Sequence, residues 1–332
     1  MSVFGIEKKP GVSARLQYNL YSKHKLCFHD GVFRILQFSD IQERLAYDQR
    51  SLDLVEYLLD ETKPDFVLFG GDVCDREVVF SLEDAARCID TFMGPMERRK
   101  IPWSHIYGNH DHENACDDRA QQQLFERKDY CLSKHTEADV HGVTNFMLPL
   151  WDEAGKEVRF ALWGLDTGGR YRNEDFLQLA EKPYNMDALD YIRFSQLKWY
   201  WDSAAELEAY QGSKVNGMLF LHIAPWEFQW LQTNGVQCGL TGNADQKLRM
   251  GMLNSGLFAT LLERGEIRCI AAAHCHQNDF DGELAGIRLC FDGSIGYSTY
   301  GIRATKGGRV FELREEELST VRTYMVHAPQ TT

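Results

Sequence analysis

Five short apolar runs, each followed at once by polar or glycine-rich residues, constrain this 332-residue chain more than any other feature. They span residues 33–38, 66–69, 101–107, 218–221 and 267–272. Continuous apolar runs of this length are typical of strands that are buried on both faces. We therefore predict a sheet-based core with polar loops at the carboxyl ends of these strands.

Helical patterns separate the first three runs. Residues 48–60 carry apolar residues at helical spacing behind Asp48, a good N-cap residue. Residues 81–93 form a second predicted helix, with Ser81 as the cap and Asp84 at or near the capping-box position. Strand, helix and strand in alternation predict a βαβ layer for the first third of the chain.

The rest of the chain has further strand patterns but few helices between the last of them, which predicts a mixed sheet. The patterns lie at residues 160–165, 287–291, 309–313 and 320–324. Residues 112–142 and 167–215 are polar, with a helical stretch at 191–208, and we interpret them as insertions over one face. Without repeats or a linker, we expect an irregular extension over residues 1–30 and a single domain over 31–332.

Charge and cysteine usage narrow the possible partners. With 36 basic and 49 acidic residues, the net charge is −13, which disfavours binding to a nucleic-acid backbone or an anionic membrane but allows carboxylates that a metal neutralises. The nine cysteines are scattered without a CxxC motif, so we expect neither a disulfide framework nor a thiolate zinc site. No apolar run approaches the about 18 to 20 residues of a membrane helix. We expect a soluble, cytoplasmic protein, and its oligomeric state stays open.

Each of the five runs ends in side chains that can bind a metal ion. In chain order they are Asp40 and Gln42 (DxQ), Asp72 and Asp75 (GDVCDR), Asn109 and His110 (GNHD), His222, and finally His274 and His276 (HCH). A site for two divalent ions about 3.5 to 4 Å apart needs a bridging carboxylate, oxygen ligands and imidazoles. Loops at strand ends of an α/β sheet are where such ligands converge.

Each cluster has a plainer explanation when it is taken alone. A Gly-Asp pair after a strand is a common turn, and a single histidine such as His222 is more often an interior residue than a ligand. His274 and His276 point to one face of a strand or lie in a tight loop. All five clusters in one order, each after an apolar run, predict a metal site.

The order DxQ, GDxxD, GNHD, H and HxH resembles the calcineurin-like metallophosphoesterases, whose pattern is DxH, GDxxD, GNHD, H and GHxH. The likeness spans residues 33–313 and includes Leu165-Asp166-Thr167-Gly168 and His222-Ile223-Ala224-Pro225, which look like the small purple-acid-phosphatase-like branch. The resemblance implies an α/β (α+β) fold, a four-layer αββα sandwich of two mixed sheets.

The resemblance also implies a role for each residue of the motifs. One metal ion would be held by Asp40, Asp72 and His276, with Gln42 in place of the usual histidine. The second would be held by Asp72, Asn109, His222 and His274, which makes Asp72 the bridge. His110 would act beside the phosphate as an acid or stabiliser, and Asp75 would orient it.

Two residues depart from the family pattern. Gln42 offers a neutral amide oxygen, which favours Mn²⁺ or Mg²⁺ over Zn²⁺, and a DxQ start also occurs in the Mn²⁺-dependent ADP-ribose/CDP-alcohol diphosphatases. Ala273 replaces the glycine of GHxH. That replacement is mild if its φ is negative and strained otherwise.

The implied activity is hydrolysis of a small phosphomonoester or phosphodiester by a hydroxide that bridges two divalent ions, with Mn²⁺ favoured and Mg²⁺, Fe²⁺ or Zn²⁺ as alternatives. Arg76 and Arg170 are candidate phosphate contacts or surface residues, and His112 is a loop residue or a substrate contact. Trp226, Phe228 and Trp230 line a pocket or cover the core. The alternative function is a metal-binding scaffold with little turnover. Gln42 supports it, and the presence of both His110 and Asp75 argues against it.

Overall fold

A computed structural model describes residues 12–75, 79–171 and 189–329. Its strands are β1 Leu26–Cys27, β2 Val32–Phe38, β3 Phe66–Phe69, β4 Trp103–His105, β5 Phe146–Trp151, β6 Val158–Gly164, β7 Gly217–Phe220, β8 Ile267–Ala272, β9 Asp281–Leu284, β10 Ile287–Phe291, β11 Gly307–Arg314 and β12 Arg322–His327. Its α-helices are α1 Ala14–Leu20, α2 Gln49–Thr62, α3 Leu82–Arg99, α4 Asp118–Glu126, α5 Phe194–Gln211, α6 Glu227–Thr233 and α7 Leu257–Arg264.

The strands form two mixed sheets. One has the order β12-β11-β2-β3-β4, and the other has the order β1-β5-β6-β7-β8-β10-β9. In the first, β2, β3 and β4 are parallel. In the second, β6, β7, β8 and β10 are parallel. Because parallel strands end at the same edge of a sheet, the loops after each parallel set lie side by side.

Side-chain alternation along the strands builds the layers. In β2, Phe33 and Ile35 pack between the two sheets, whereas Leu36 and Phe38 pack in the apolar cluster that contains the buried faces of α2 and α3. A third cluster joins the seven-stranded sheet to α5 and α7. Each fully buried Leu or Phe side chain contributes about 1.5–3 kcal/mol. Three apolar interfaces separate four layers, so the predicted αββα sandwich is confirmed.

The two predicted helices begin where the sequence indicates. The Asp48 carboxylate accepts a hydrogen bond from the Arg50 N–H, and the Ser81 hydroxyl accepts one from the Asp84 N–H. The second helix, α3, continues to Arg99 even though it contains Pro95. The continuation keeps Met96 in the same core as the preceding turns.

The N-terminal segment and strand β5 differ from the expectation. The irregular N-terminal extension contains α1, capped by Ser13, and the edge strand β1. The unpredicted strand β5 carries Pro149, a residue that demotes a strand pattern. The edge strand β1 pairs only with Leu150 and Trp151 of β5. Pro149 of β5 therefore lies just before the residues that pair with β1.

One disulfide departs from the expectation that the scattered cysteines are not paired. Cys74, in the loop after β3, is bonded to Cys88 in α3. The two residues are 14 positions apart and meet because α3 packs beside this loop, which their spacing in the sequence does not reveal. Within the described ranges, no helix has both the length and the apolar character needed to cross a membrane.

Candidate metal centre

The loops after β2, β3, β7 and β8 meet where the ends of the two sheets come together. Backbone hydrogen bonds of 3.0 Å join them from the Asp40 N–H to the Gly71 carbonyl and from the Gln42 N–H to the Asp72 carbonyl. In the second sheet, the Ala273 N–H donates to the His222 carbonyl at 3.0 Å. The loops therefore hold four of the predicted metal-binding segments side by side.

The backbone at this junction is strained. Asp40, Gln42, Asp72 and His274 have φ values of 52°, 42°, 57° and 72°, and the described residues contain only four other non-glycine residues with positive φ. A non-glycine residue in this conformation costs about 1–3 kcal/mol and is typical of functional sites. Ala273 is not among them, so its replacement of glycine is the mild case; the positive φ falls on the next residue, His274.

Two glycines let the chain close around Asp72. A Cβ atom on Gly108 would lie 2.2 Å from Oδ1 of Asp72. Gly71 has a φ of +98°, and a Cβ there would lie 2.5 Å from the Gly108 nitrogen. Side chains at these two positions would push apart the loops after β3 and β4.

Carboxylate and imidazole atoms converge at distances that fit a divalent ion. Nε2 of His222 lies 3.2 Å from Oδ2 of Asp72, and Nε2 of His276 lies 3.0 Å from Oδ1 of Asp40. Ligand atoms on adjacent corners of an octahedron with bonds of about 2.1 Å are about 3.0 Å apart. Asp72, His222 and His274 each offer an atom within 4.8 Å of the others.

Apart from the close approaches within the cluster itself, several of its buried atoms have no hydrogen-bond partner in the described part of the chain. They are Oδ1 of Asp40, Oδ1 of Asn109, Nε2 of His222 and both ring nitrogens of His274. A buried polar atom without a partner costs about 1–3 kcal/mol. Divalent ions would satisfy these atoms, so the donor set fits the metals that the motifs predict.

The charge states of the carboxylates and of His274 suit metal binding, whereas His222 holds a proton that a bound metal ion would displace. Burial disfavours the ionised forms of Asp40 and Asp72, but the surrounding histidines outweigh it and lower the pKa of both carboxyls. Burial likewise opposes protonation of His222, yet Asp72 and Asp40 raise its pKa to about 10. Burial and the repulsion of His222 lower the pKa of His274 to about 3, which leaves a neutral imidazole, the form that binds metals.

Carbonyl groups fix which ring nitrogen of two histidines faces the centre. Nδ1 of His222 lies 2.7 Å from the Gly70 carbonyl, and Nδ1 of His276 lies 2.8 Å from the Tyr300 carbonyl. The Tyr300 ring also stacks on His276 with 3.9 Å between the ring centroids. Because Nδ1 donates to a carbonyl in each case, Nε2 is the nitrogen directed at the carboxylates.

Gln42 lies in the centre with its amide nitrogen toward the carboxylates. Nε2 donates to Oδ2 of Asp72 at 2.9 Å and lies 3.2 Å from Nε2 of His276. The amide oxygen accepts a 2.6 Å hydrogen bond from the Thr299 hydroxyl. Half a turn of the amide would present the oxygen instead, because the Thr299 hydroxyl can also accept. A role for Gln42 as a ligand therefore stays a prediction.

His110 lies beside the carboxylate cluster. Its backbone N–H donates to Oδ1 of Asp72 at 2.8 Å, and its Nε2 is 3.9 Å from Oδ2 of Asp72. The carboxylate at its Nδ1 is that of Glu113, at 2.7 Å. Glu113 is not among the residues that the motifs single out, and the orienting role of Asp75 stays a prediction. Arg170 Nε donates to Glu113 at 2.7 Å, and Arg76 lies outside the described residues.

Other supporting residues carry little or no sequence signal. Asp111 of the GNHD motif accepts backbone N–H groups from Asp72 and Gly108 at 2.7 and 2.8 Å, which ties the two loops together. The Ser39 hydroxyl lies 2.6 Å from Oδ2 of Asp40 and 3.0 Å from Oδ1 of Asp292. Asp292 belongs to no recognised motif, so only its place in the fold reveals it.

The three aromatics after His222 do not form one wall. Phe228 is fully buried and packs on Phe291, whereas the Trp230 side chain is 66% exposed. Trp226 donates from its indole N–H to the Gly251 carbonyl. For Phe228 the core interpretation is therefore the right one.

Comparison with known proteins agrees with this arrangement. Residues 33–278 match the model of the calcineurin-like phosphoesterase family. The chain is 28% identical over 318 residues to "Probable inactive purple acid phosphatase 14" of Arabidopsis thaliana, covering 85% of this chain and 75% of that protein. It is 26% identical to "Phosphatase DCR2" of Saccharomyces cerevisiae, covering 80% of this chain but 48% of that protein.

A solved structure shares the fold. A dimetal phosphatase from Danio rerio superposes with a TM-score of 0.55 at 14% identity, covering 86% of this chain and 94% of that one. The family match covers well over half of the chain and contains the motifs that build the buried cluster. The chain therefore belongs to the calcineurin-like phosphoesterase family.

Proposed function

We propose that this protein hydrolyses a small phosphorylated substrate, a phosphomonoester or phosphodiester, with the help of two divalent metal ions. The observation that carries the proposal is the buried convergence of carboxylates and imidazoles whose atoms lack other partners. A net charge of −13 disfavours polyanionic partners, which meet the whole surface, more than a small phosphate ester.

The residues that would hold the ions follow from the cluster. One ion would be held by Asp40, Asp72 and His276, with Gln42 if its amide turns. The other ion would be held by Asp72, Asn109, His222 and His274. Bound divalent ions activate water for attack at phosphorus and neutralise charge on the phosphate. Oxygen ligands on the Gln42 side favour Mn²⁺ or Mg²⁺ over Zn²⁺.

The protein's own acid would be His110. Its Nε2 faces the carboxylate cluster, where it can hydrogen-bond a phosphoryl oxygen and give a proton to the leaving oxygen. Burial opposes protonation of this ring, but Asp72 and Glu113 raise its pKa above the ordinary value. A raised pKa favours the charged form that a proton donor needs.

A metal-binding scaffold with little turnover is the second candidate. It is favoured by the amide nitrogen of Gln42, which faces Asp72 where a ligand oxygen is expected. Three relatives carry the name "Probable inactive purple acid phosphatase", whereas DCR2 is named a phosphatase.

Hydrolysis of p-nitrophenyl phosphate and bis(p-nitrophenyl) phosphate, after chelation and reloading with Mn²⁺, Mg²⁺ or Zn²⁺, tests the proposal. We expect turnover that is lost with chelator and restored by Mn²⁺. Asp72→Asn should lose bound metal and activity together, whereas His110→Ala should lose most activity with its metal content unchanged. Tight metal binding without hydrolysis of either ester would favour the scaffold.

A further inference from the structure

The ring of His110 contacts the carboxylate of Glu113, which in turn pairs with Arg170 from a separate part of the chain. Nδ1 of His110 lies 2.7 Å from Oε2 of Glu113, and Oε1 of Glu113 accepts a 2.7 Å hydrogen bond from Nε of Arg170. The exposed fractions of the three side chains rise outward, from 14% for His110 to 18% for Glu113 and 32% for Arg170. The three groups form a line from the carboxylate cluster toward the surface.

The local backbone conformation places the Glu113 side chain beside the His110 ring. A short 3₁₀-helix, Asp111–Glu113, follows β4, and the Glu113 N–H donates to the His110 carbonyl at 3.1 Å. Side chains three positions apart in such a helix lie on the same side. The Glu113 carboxylate therefore reaches the ring without a change in the fold.

Arg170 comes from a second loop, which follows β6. Asp166, in this loop, accepts the Gly168 N–H at 2.9 Å and contacts Nε2 of His112 at 2.9 Å. The Asp190 N–H donates to the Gly169 carbonyl next to Arg170. The loop is thus attached to the same 3₁₀-helix that carries Glu113.

We propose that Glu113 and Arg170 are positioning residues that set His110 for proton donation to the leaving group, an inference that rests on the proposed hydrolysis. Glu113 accepts the Nδ1 proton, which leaves the Nε2 proton to face the substrate. Arg170 occupies the other oxygen of Glu113 and prevents that carboxylate from turning away. The role that the motif assigns to Asp75 would then belong to Glu113.

The proton balance of the step is simple. Water forms a new bond to phosphorus as the bond between phosphorus and the leaving oxygen breaks. The leaving oxygen takes the Nε2 proton of His110, and the neutral ring keeps its Nδ1 proton on Glu113. The proton lost by the attacking water returns, through solvent, to Nε2. The overall reaction consumes one water and yields an alcohol and a phosphate.

The test compares two esters of unequal leaving groups with Mn²⁺-loaded, full-length protein. p-Nitrophenolate leaves without much protonation, whereas phenolate depends more on an acid. We expect Glu113→Gln to lower kcat for phenyl phosphate about 10-fold or more beyond its effect on p-nitrophenyl phosphate, with KM and metal content little changed. Arg170→Gln should show a smaller effect of the same kind, and Arg170→Lys should restore part of it.

Two controls separate positioning from other roles. The double variant Glu113→Gln with Arg170→Gln should be no worse than Glu113→Gln alone, because Arg170 acts through Glu113. Asp75→Asn should not change the difference between the two esters. Additive losses in the double variant, or a leaving-group effect in Asp75→Asn but not in Glu113→Gln, would overturn the proposal.

Nuclear magnetic resonance of ¹⁵N-histidine-labelled protein supplies a readout that needs no turnover. At a pH where the ring is neutral, His110 should carry its proton on Nδ1 in the wild type and move it toward Nε2 in Glu113→Gln. An unchanged tautomer would refute the positioning role. A wild type that cleaves neither ester would instead refute the proposed hydrolysis, and the tautomer would still show whether Glu113 holds the ring.

Discussion

Asp292 and Asp166 are both buried, but their neighbours shift the pKa values of the two carboxyls in opposite directions. Burial and the charge of Asp40 raise the pKa of Asp292 to about 8. Ser39 has one hydroxyl proton for two carboxylates, so a proton on Asp292 satisfies the second contact. Burial also opposes ionisation of Asp166, yet His112 and two backbone N–H groups lower its pKa. Asp292 is therefore a neutral acid in the metal-free protein, and Asp166 is an anion.

Asparagine at each position tests this contrast. Asp292→Asn keeps a donor for Ser39 and an acceptor for Gln37, so we expect a change in the free energy of unfolding within about 1 kcal/mol. Asp166→Asn removes the partner of a buried cation and should cost about 3 kcal/mol or more. Urea unfolding of both variants in chelator at pH 6 measures these costs.

The raised pKa of Asp292 also predicts how the free energy of unfolding changes with pH. A pKa raised on folding means that the folded state holds an extra proton between the unfolded pKa, near 4, and about 8. Stability from this group is present at low pH and falls as pH rises, by at most about 1.4 kcal/mol per pH unit. Asp292→Asn lacks this slope, so its free energy of unfolding should rise relative to that of the wild type from pH 5 to 7. The absence of such a gain over that range would mean that Asp292 is ionised in the folded protein.

Gln42 supports a second prediction at the residue scale. Gln42→His puts a softer imidazole nitrogen beside Asp72 and His276 and should raise the affinity for Zn²⁺ relative to Mn²⁺. Gln42→Leu, the control, should weaken binding at that position for both ions. Competitive metal titration measures the preference, and an unchanged preference in Gln42→His would argue that this position does not contact metal.

At the scale of elements, His112 joins three pieces of chain. It lies on the 3₁₀-helix, with Nδ1 2.8 Å from Asp118 at the start of α4 and Nε2 2.9 Å from Asp166 after β6. Burial opposes its protonation, but the two carboxylates outweigh it and raise its pKa well above the ordinary value. The bridging imidazolium thus holds the segment that presents His110 and Glu113.

His112→Gln should destabilise the protein by about 3 kcal/mol at pH 6, because it leaves the buried Asp166 without its cation. A raised pKa stabilises the fold most below the unfolded value, near 6.5, and this stabilisation fades as pH rises through the folded value. The cost should therefore shrink toward alkaline pH. His141, 43% exposed and 3.7 Å from Asp190, gives the control. His141→Gln should change stability by less than about 1 kcal/mol, and equal costs for the two variants would contradict the bridge.

At the scale of the whole molecule, the candidate metal centre lies where the two sheets meet. Asp40 and Asp72 follow strands of one sheet, and His222, His274 and His276 follow strands of the other. Bound ions would therefore join the two sheets by their ends. In addition, they would neutralise carboxylates that are buried at a cost.

Metal binding should therefore stabilise the whole fold. Ions that bind only the folded state at 100 times Kd add about 2.7 kcal/mol to the free energy of unfolding. We expect Mn²⁺ to raise Tm and chelator to lower it, with Asp72→Asn showing no response. Differential scanning calorimetry measures the shift. A Tm that Mn²⁺ leaves unchanged would mean that this cluster does not bind the ion in the folded protein.

Much of this architecture can be predicted from local patterns. The apolar runs of β3, β8 and β10 coincide with the observed strands, and Asp48 and Ser81 cap the helices as expected. Strand β5 escapes prediction because Pro149 interrupts its pattern, and β1 because it has only two residues. The Cys74–Cys88 pair depends on how α3 packs, which no local pattern contains.

By itself, the sequence determined which residue types stand at the strand ends and in what order, because apolar runs and short motifs are local. The tertiary structure alone decided their partners. Thr299 reaches Gln42 across 257 positions and Asp292 reaches Ser39 across 253, so these contacts exist only once the two sheets have stacked. Glu113 is three positions from His110 in the sequence. Its carboxylate contacts the His110 ring only because the 3₁₀-helix places it there and Arg170, from a separate loop, holds it. Spacing alone cannot specify a hydrogen bond that packing makes possible.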